Sequence, residues 1–354
     1  AEMCNNNGAC RKSAGAVMCP SYRATRNERD VTRGRAHTLR LAISGQLGPD
    51  ALHSDEMAET LKLCVSCKAC RRECPTGVDM AKMKAEVLYQ RGKRSGFSAK
   101  DRLIAHLPRT APLAARMGGL LGLRDRIGPL AALSEKLLGF SAKRSLPTFR
   151  RDFFKDEEGD VQGASGAGPS HDRGTSHSVS DALPSTTSRS ETGVVLNPEG
   201  AGADAATGSP TDAPSSRGIE NTDGETHARA TRFEGPGVVL FADTFGRWFD
   251  PETLRAAVKV LTAAGYNVET ARPVSGKRPL CCGRTFIASG MADKAKEEAE
   301  RTIEALIPHV RAGKTVVGLE PSCLLTLRDE FPALVPGRDS AEIAGAALLF
   351  EEFL

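Results

Sequence analysis

Four cysteines fall within eleven residues of the chain, in the stretch "CVSCKACRRECP" from Cys64 to Pro75. The spacing is C-x2-C-x2-C-x3-C-P. Two spacers of two residues let Cys64, Cys67 and Cys70 turn inward around one iron–sulfur cube. The fourth thiol, Cys74, precedes a proline, and in two-cluster ferredoxins a cysteine so placed ligates the other cluster. Structural zinc is the rival reading, but it favours C-x2-C pairs separated by longer spans that close a tetrahedron. A tight triplet followed by Cys-Pro fits an iron–sulfur centre better.

If Cys74 serves a second site, the triplet needs a fourth ligand from elsewhere. A second Cys-Pro supplies one at Cys19-Pro20, in "VMCP", and upstream of it stands "CNNNGAC" with Cys4 and Cys10. Crossed ligation then gives Cys64, Cys67, Cys70 and Cys19 for a [4Fe–4S] cluster. The remaining thiols, Cys4, Cys10 and Cys74, would hold a [3Fe–4S] cluster, or a cube with one non-cysteine ligand. Asn7 stands at the middle ligand position of the upstream loop, and beside Gly8 it also reads as an ordinary turn residue. A single cluster with structural cysteines elsewhere is the remaining alternative. His37 and His53 read as packed or surface side chains.

Ten cysteines in 354 residues, with no signal-peptide pattern and no apolar run of membrane-spanning length, point to a cytoplasmic chain that uses thiols as metal ligands. The net charge of +4 hides an asymmetry. Residues 1–155 carry 29 Lys and Arg against 14 Asp and Glu (+15), and the remainder 19 against 30 (−11). Solvated helix surface explains this simply. The sharper expectation is a basic face that docks an acidic partner or, peripherally, the anionic inner face of a membrane. Basic residues are not interleaved with aromatics, so nucleic acid is not an expected partner.

Composition divides the chain into four segments. Residues 1–95 read as an α-helical ferredoxin-like iron–sulfur domain, with helices in "DVTRGRAHTLRLAISGQL", "ALHSDEMAETLKL" (capped by Ser54 or Asp50) and "VDMAKMKAEVLYQRGKR". Residues 96–155 read as a helical extension. Residues 156–235, rich in Gly, Ser, Thr, Pro and Asp, read as a disordered linker in which His171, His177 and His227 are merely solvated. Residues 236–354 alternate strand and helix, implying a small parallel α/β domain. The closing "AALLFEEFL" reads as a helix stopped mid-turn, and together with the start at Ala1 suggests part of something longer.

The elements "CNNNGACRK", "MCPSYRAT", "TRGRAHTLR", "CVSCKACRRECPTGVDM" and the later "CCG" carry a resemblance. The chain resembles the iron–sulfur C-terminal part of flavin-linked 2-hydroxyacid dehydrogenases. That group spans D-2-hydroxyglutarate and D-lactate dehydrogenase-like proteins and glycolate oxidase iron–sulfur subunits. The C-x5-C loop is also similar, more weakly, to the three-iron site of succinate dehydrogenase subunits. The resemblance implies a helical ferredoxin domain followed by a cysteine-rich CCG domain. It implies electron transfer from FAD, held on a dehydrogenase module in cis or in trans, to an acceptor such as a quinone or a redox protein. In this reading the cysteines ligate and none is catalytic.

Full CCG patterns carry an early cysteine, Cys-Cys-Gly, and a closing C-x2-C. Here the early position falls at Asp243-Thr244, Cys281 and Cys282 stand, Cys323 stands, and Thr326 replaces the last thiol. These three cysteines are candidates for metal or redox work, or for packing alone. Cys323 opens an expected helix, whose dipole would favour a thiolate. By similarity to heterodisulfide reductases, thiol/disulfide catalysis at the CCG region is the alternative function.

Overall fold

The computed structural model describes residues 3–12, 15–162 and 236–354. Most of the segment expected as a linker, from residue 163 to 235 with its three histidines, lies outside the described residues.

The N-terminal part is built from short helices whose ends are fixed by local chemistry. Thr32–Ile43 follows a tight turn, Asp55–Lys62 is capped by the Ser54 hydroxyl accepting from the Met57 amide, and Met80–Ser95 by the Asp79 carboxylate accepting from Lys82. Of the two caps expected for the second helix, Ser54 rather than Asp50 does the work. Each helix is too short to stand alone in water, so the shared core carries them. Val31, Ala36, Leu39, Met57, Leu61, Val78, Met80 and Val87 pack together with Cys10, Cys19 and Cys70 in that core. Val78, Met80, Met83 and Val87, on and just before the third helix, form an apolar stripe that packs into this core.

The helical extension continues through Ala99–Ala105, Leu107–Arg116, Gly118–Leu121, Leu123–Arg126 and Gly128–Leu138. The chain then runs along the C-terminal part. Phe154 is fully buried there, its amide donates to the Arg247 carbonyl at 3.1 Å, and Val161 bridges Val268. Residues 156–162, which composition assigns to the linker, instead form a 3-10 turn, Asp156–Gly159, and an isolated bridge. They are held by Arg255 on Glu158 and Arg247 on Asp156. Burial of one phenylalanine and two ion pairs orders a stretch whose own composition is polar.

The C-terminal part is a four-stranded parallel sheet: β1 Gly237–Leu240, β2 Asn267–Thr270, β3 Thr315–Gly318 and β4 Ala347–Leu349, in the order β2-β1-β3-β4. Helices Pro251–Ala263, Ala292–Arg311 and Pro321–Leu334 supply the crossovers, and both faces are covered by apolar clusters, as a parallel sheet requires. The expected terminal helix is corrected here. Ala347–Leu349 pairs with Val316–Gly318 as an edge strand, and only Phe350–Phe353 is helical. A short apolar run reads equally as strand or helix until a partner edge is present.

The helical and sheet parts belong to one compact unit. Gly290 (φ 76°) lies so close to the Met80–Ser95 helix that a Cβ there would sit 2.6 Å from the Leu88 carbonyl carbon. Glu298, fully buried, gathers Arg109 from the extension and Arg278 and Arg301 from its own part. Among the described residues no helix is long and apolar enough to cross a membrane.

Candidate metal centre

The seven N-terminal cysteines gather around two cavities. Cys19, Cys64, Cys67 and Cys70 line one, with about 320 Å³ of empty space including its mouth. Cys4, Cys10 and Cys74 line the other, of about 250 Å³, together with Asn7 and Gly8. Helix Ala69–Glu73 performs the division. It carries Cys70 in its body and Cys74 at its end, so consecutive ligand-type cysteines face different cavities. Asn7 accepts a hydrogen bond from the Ala9 amide at 2.9 Å, the turn role expected of it, while lining the second cavity. His37 and His53 line neither.

Several contacts fix the thiols. Cys19 immediately precedes helix Pro20–Thr25, with its sulfur 3.4 Å from the Ser21 hydroxyl. Glu73 accepts from the amides of Val17 and Met18, each at 2.8 Å, tying the Cys19 loop to the helix of Cys70 and Cys74. The Met80 amide donates to Cys70 Sγ at 3.4 Å, and the Thr76 hydroxyl lies 3.2 Å from Cys74 Sγ. Lys84 Nζ donates to the Cys64 carbonyl at 2.6 Å.

Arg35 escapes sequence reasoning, in which "TRGRAHTLR" is a helix and one element of the resemblance, with no role for this arginine. Its side chain is 0% exposed. The guanidinium donates to the Thr60 carbonyl (3.1 Å), to the Ser21 hydroxyl (3.1 Å) and to Cys19 Sγ (3.6 Å), and it lines the four-cysteine cavity. Among the described residues no carboxylate pairs with it. A buried cation without a counter-ion is costly, so this cavity is built to hold negative charge. Four thiolates around an iron–sulfur cluster carry such charge, and the donor set fits it. Among the described residues no three Cys, His, Asp or Glu side chains converge tightly enough for a single metal ion, whereas the thiols stand around a cavity.

The thiol protonation equilibria follow burial and neighbours. Burial pushes Cys19 up, but the Ser21 hydroxyl and the Arg35 charge outweigh it, leaving its pKa below the usual thiol value. Cys74 is likewise lowered: burial opposes, and the Thr76 hydroxyl with nearby amides prevails. Burial pushes Cys70 up to about 11, and raises Cys10 as well. Bound iron would compete with protons for these thiolates.

The C-terminal cysteines form a separate group at the carboxyl ends of the strands, where parallel sheets place their functional loops. Cys281, Cys282 and Cys323 are 3%, 2% and 2% exposed, and Cys282 is close enough to both others for their side chains to shift its protonation. All three thiols are pushed above the usual value. For Cys323 the Cys282 side chain favours the thiolate, but burial and the nearby Asp243 charge outweigh it, so the thiol ends above its usual value. At the early motif position Asp243 caps helix Thr244–Phe249 through the amides of Phe245 (2.7 Å) and Gly246 (3.0 Å). At the last position the Thr326 hydroxyl donates to the Ser322 carbonyl at 2.7 Å.

The N-terminal part is thus a small helical domain with two thiol-lined cavities. Residues 1–78 match the 4Fe–4S dicluster domain family. The chain is similar to the D-2-hydroxyglutarate dehydrogenase of Haemophilus influenzae, 25% identical over 171 residues, covering 39% of this chain and 17% of that protein. The enzyme of the same name from Escherichia coli K12 is 27% identical over 171 residues, 38% of this chain and 17% of that one. One subunit of the anaerobic glycerol-3-phosphate dehydrogenase of E. coli K12 is 30% identical over 99 residues, 28% and 24% of the two chains. The chain thus spans no more than about a quarter of these relatives. No solved structure matches it. Its N-terminal part carries a domain of the 4Fe–4S dicluster type, and the chain is related in sequence to dehydrogenases.

Proposed function

We propose that the chain is the iron–sulfur module of a flavin-linked 2-hydroxyacid dehydrogenase. It passes electrons from reduced FAD, on a dehydrogenase module in cis or in trans, to a downstream quinone or redox protein. The observation that carries this reading is the buried Arg35 guanidinium, without a carboxylate partner among the described residues, in the wall of the four-cysteine cavity. Cys64, Cys67, Cys70 and Cys19 hold the first cluster, a [4Fe–4S] centre. Cys4, Cys10 and Cys74 hold the second, a [3Fe–4S] cluster or a cube with one non-cysteine ligand. Such clusters accept and release single electrons at potentials set by charge, hydrogen bonds and exposure. The protein's share is to present thiolates, exclude water and fix the surrounding charge.

The alternative, thiol/disulfide catalysis at Cys281, Cys282 and Cys323, draws support from the nearness of the three buried thiols, which shift one another's protonation. Burial and raised pKa values weigh against a reactive thiolate there.

Iron and sulfide analysis with low-temperature EPR, on anaerobically purified protein before and after dithionite, tests the relay. About seven or eight irons per chain, with two distinct signals, is the expected result. Zinc in place of iron would refute the relay outright.

A further inference from the structure

The cluster loop is held from the far end of the chain. Ser66 and Lys68, flanking Cys67, both adopt left-handed backbone conformations, at φ 54° and 58°. Such conformations are costly for residues with a side chain and persist where the surroundings enforce them. Arg284 Nη2 donates to the Ser66 carbonyl at 3.2 Å. The Lys68 ammonium is caught between Asp329 and Glu330, 2.6 Å from the latter, and Arg71 also reaches Asp329. Glu330 completes the network by accepting from Arg284 Nη1 at 2.6 Å. Glu330 itself is 8% exposed, so its two cations meet it largely out of water.

These groups stand on two elements, helix Arg284–Ala288 and helix Pro321–Leu334. The first follows directly on Cys281-Cys282-Gly283, and the second carries Cys323. The buried thiols and the clamp therefore share their scaffold.

We infer that Arg284, with Asp329 and Glu330, is a positioning group for the Cys64–Cys70 loop, through which the α/β part sets the reduction potential and iron retention of the first cluster. The inference rests on the relay reading for the word cluster, and on geometry alone for the clamp. A fixed Ser66 carbonyl and a fixed Lys68 hold the Cys67 thiolate in one orientation toward the cavity. Deleting the clamp lets the loop leave its left-handed conformations, which frees the exposed Cys67 to turn away from the cavity and changes the charge beside it.

The test uses the full chain, purified anaerobically, as wild type, Arg284→Met, Arg284→Lys and the pair Asp329→Asn/Glu330→Gln. Three quantities are read: the potential of each EPR signal, the rate of iron release to a chelator, and hydrogen exchange of amides 65–69 in the iron-free protein. Arg284→Met is expected to speed iron release from the first site about tenfold, the worth of one charge-assisted hydrogen bond. It shifts the first potential and leaves the second in place. Arg284→Lys restores most of both, and the carboxylate pair reproduces the faster release. Wild-type potential and release in Arg284→Met, or equal shifts at both clusters, would overturn the inference. So would unchanged exchange at 65–69 in both Arg284→Met and the carboxylate pair, a readout that survives if either fails to assemble its clusters. Absence of iron from the wild type would instead sink the relay reading, and the exchange data would then decide the clamp alone.

Discussion

Replacing Arg35 by methionine removes one buried positive charge while nearly keeping the side chain's length. The guanidinium stands 3.6 Å from Cys19 Sγ. With an effective dielectric of about 20, a unit charge at that distance is worth about 4–5 kcal/mol. An electron added to a cluster spreads over a body larger than one sulfur, so a mean distance of about 7 Å is appropriate. That reduces the interaction to about 2–3 kcal/mol, which for one electron corresponds to about 100 mV. A nearby cation favours the more negative, reduced form, so Arg35→Met lowers the first cluster's potential by about 100 mV. An anaerobic dye-mediated titration followed by EPR measures it, with the second signal as internal reference. The iron-free protein gives the opposite sign: there Arg35 is a buried charge lacking its anion, and methionine raises the unfolding midpoint. An intact cluster whose potential moves by less than about 20 mV, or upward, would show that the Arg35 charge is compensated elsewhere.

The other expectations concern ligation, packing and pH. Cys19→Ser should abolish the [4Fe–4S] signal assigned to the first cavity and spare the second, while Cys74→Ser should do the reverse. Loss of the first signal in Cys74→Ser would mean the ligation is not crossed. Gly290→Ala forces a Cβ to within 2.6 Å of the Leu88 backbone at a φ of 76°, and should cost about 2–4 kcal/mol in denaturant unfolding; a neutral result contradicts the close approach. The Arg255 hydrogen bond holds Glu158 below the ordinary carboxylate value of 4.5, against a smaller opposing effect of burial. A depressed folded pKa means its contribution is complete above 4.5 and is lost as pH falls through the folded value. Exchange at the Val161 and Val268 amides, corrected for intrinsic rate, should therefore rise from about pH 5 to about pH 3, and less so in Glu158→Gln.

The chemistry of the N-terminal part was legible because ligand spacing is a local property. A thiol triplet at two-residue intervals commits the backbone to one loop whatever surrounds it, and the two Cys-Pro steps marked the thiols that cross over, Cys19 lining the first cavity and Cys74 the second. Strand–helix alternation implied a parallel sheet for the same reason, since each crossover is a local unit. The Ser54 cap and the Met80 stripe were likewise written in a few consecutive residues.

What stayed hidden depends on partners distant in sequence. "TRGRAHTLR" shows a helix rich in positive charge, and nothing local distinguishes the buried Arg35 from the half-buried Arg33 and Arg40. Arg284, Asp329 and Glu330 read as surface charges until the fold brings them to Ser66, Lys68 and Arg71, more than 200 residues earlier. Ala347–Leu349 became a strand because β3 offered an open edge, and residues 156–162 ordered because Phe154 found a core. Cys323 shows the same division in one group. Its place near a helix start, visible in the sequence, favours the thiolate, while its burial, decided only by tertiary packing, removes the water that would stabilise that charge and prevails.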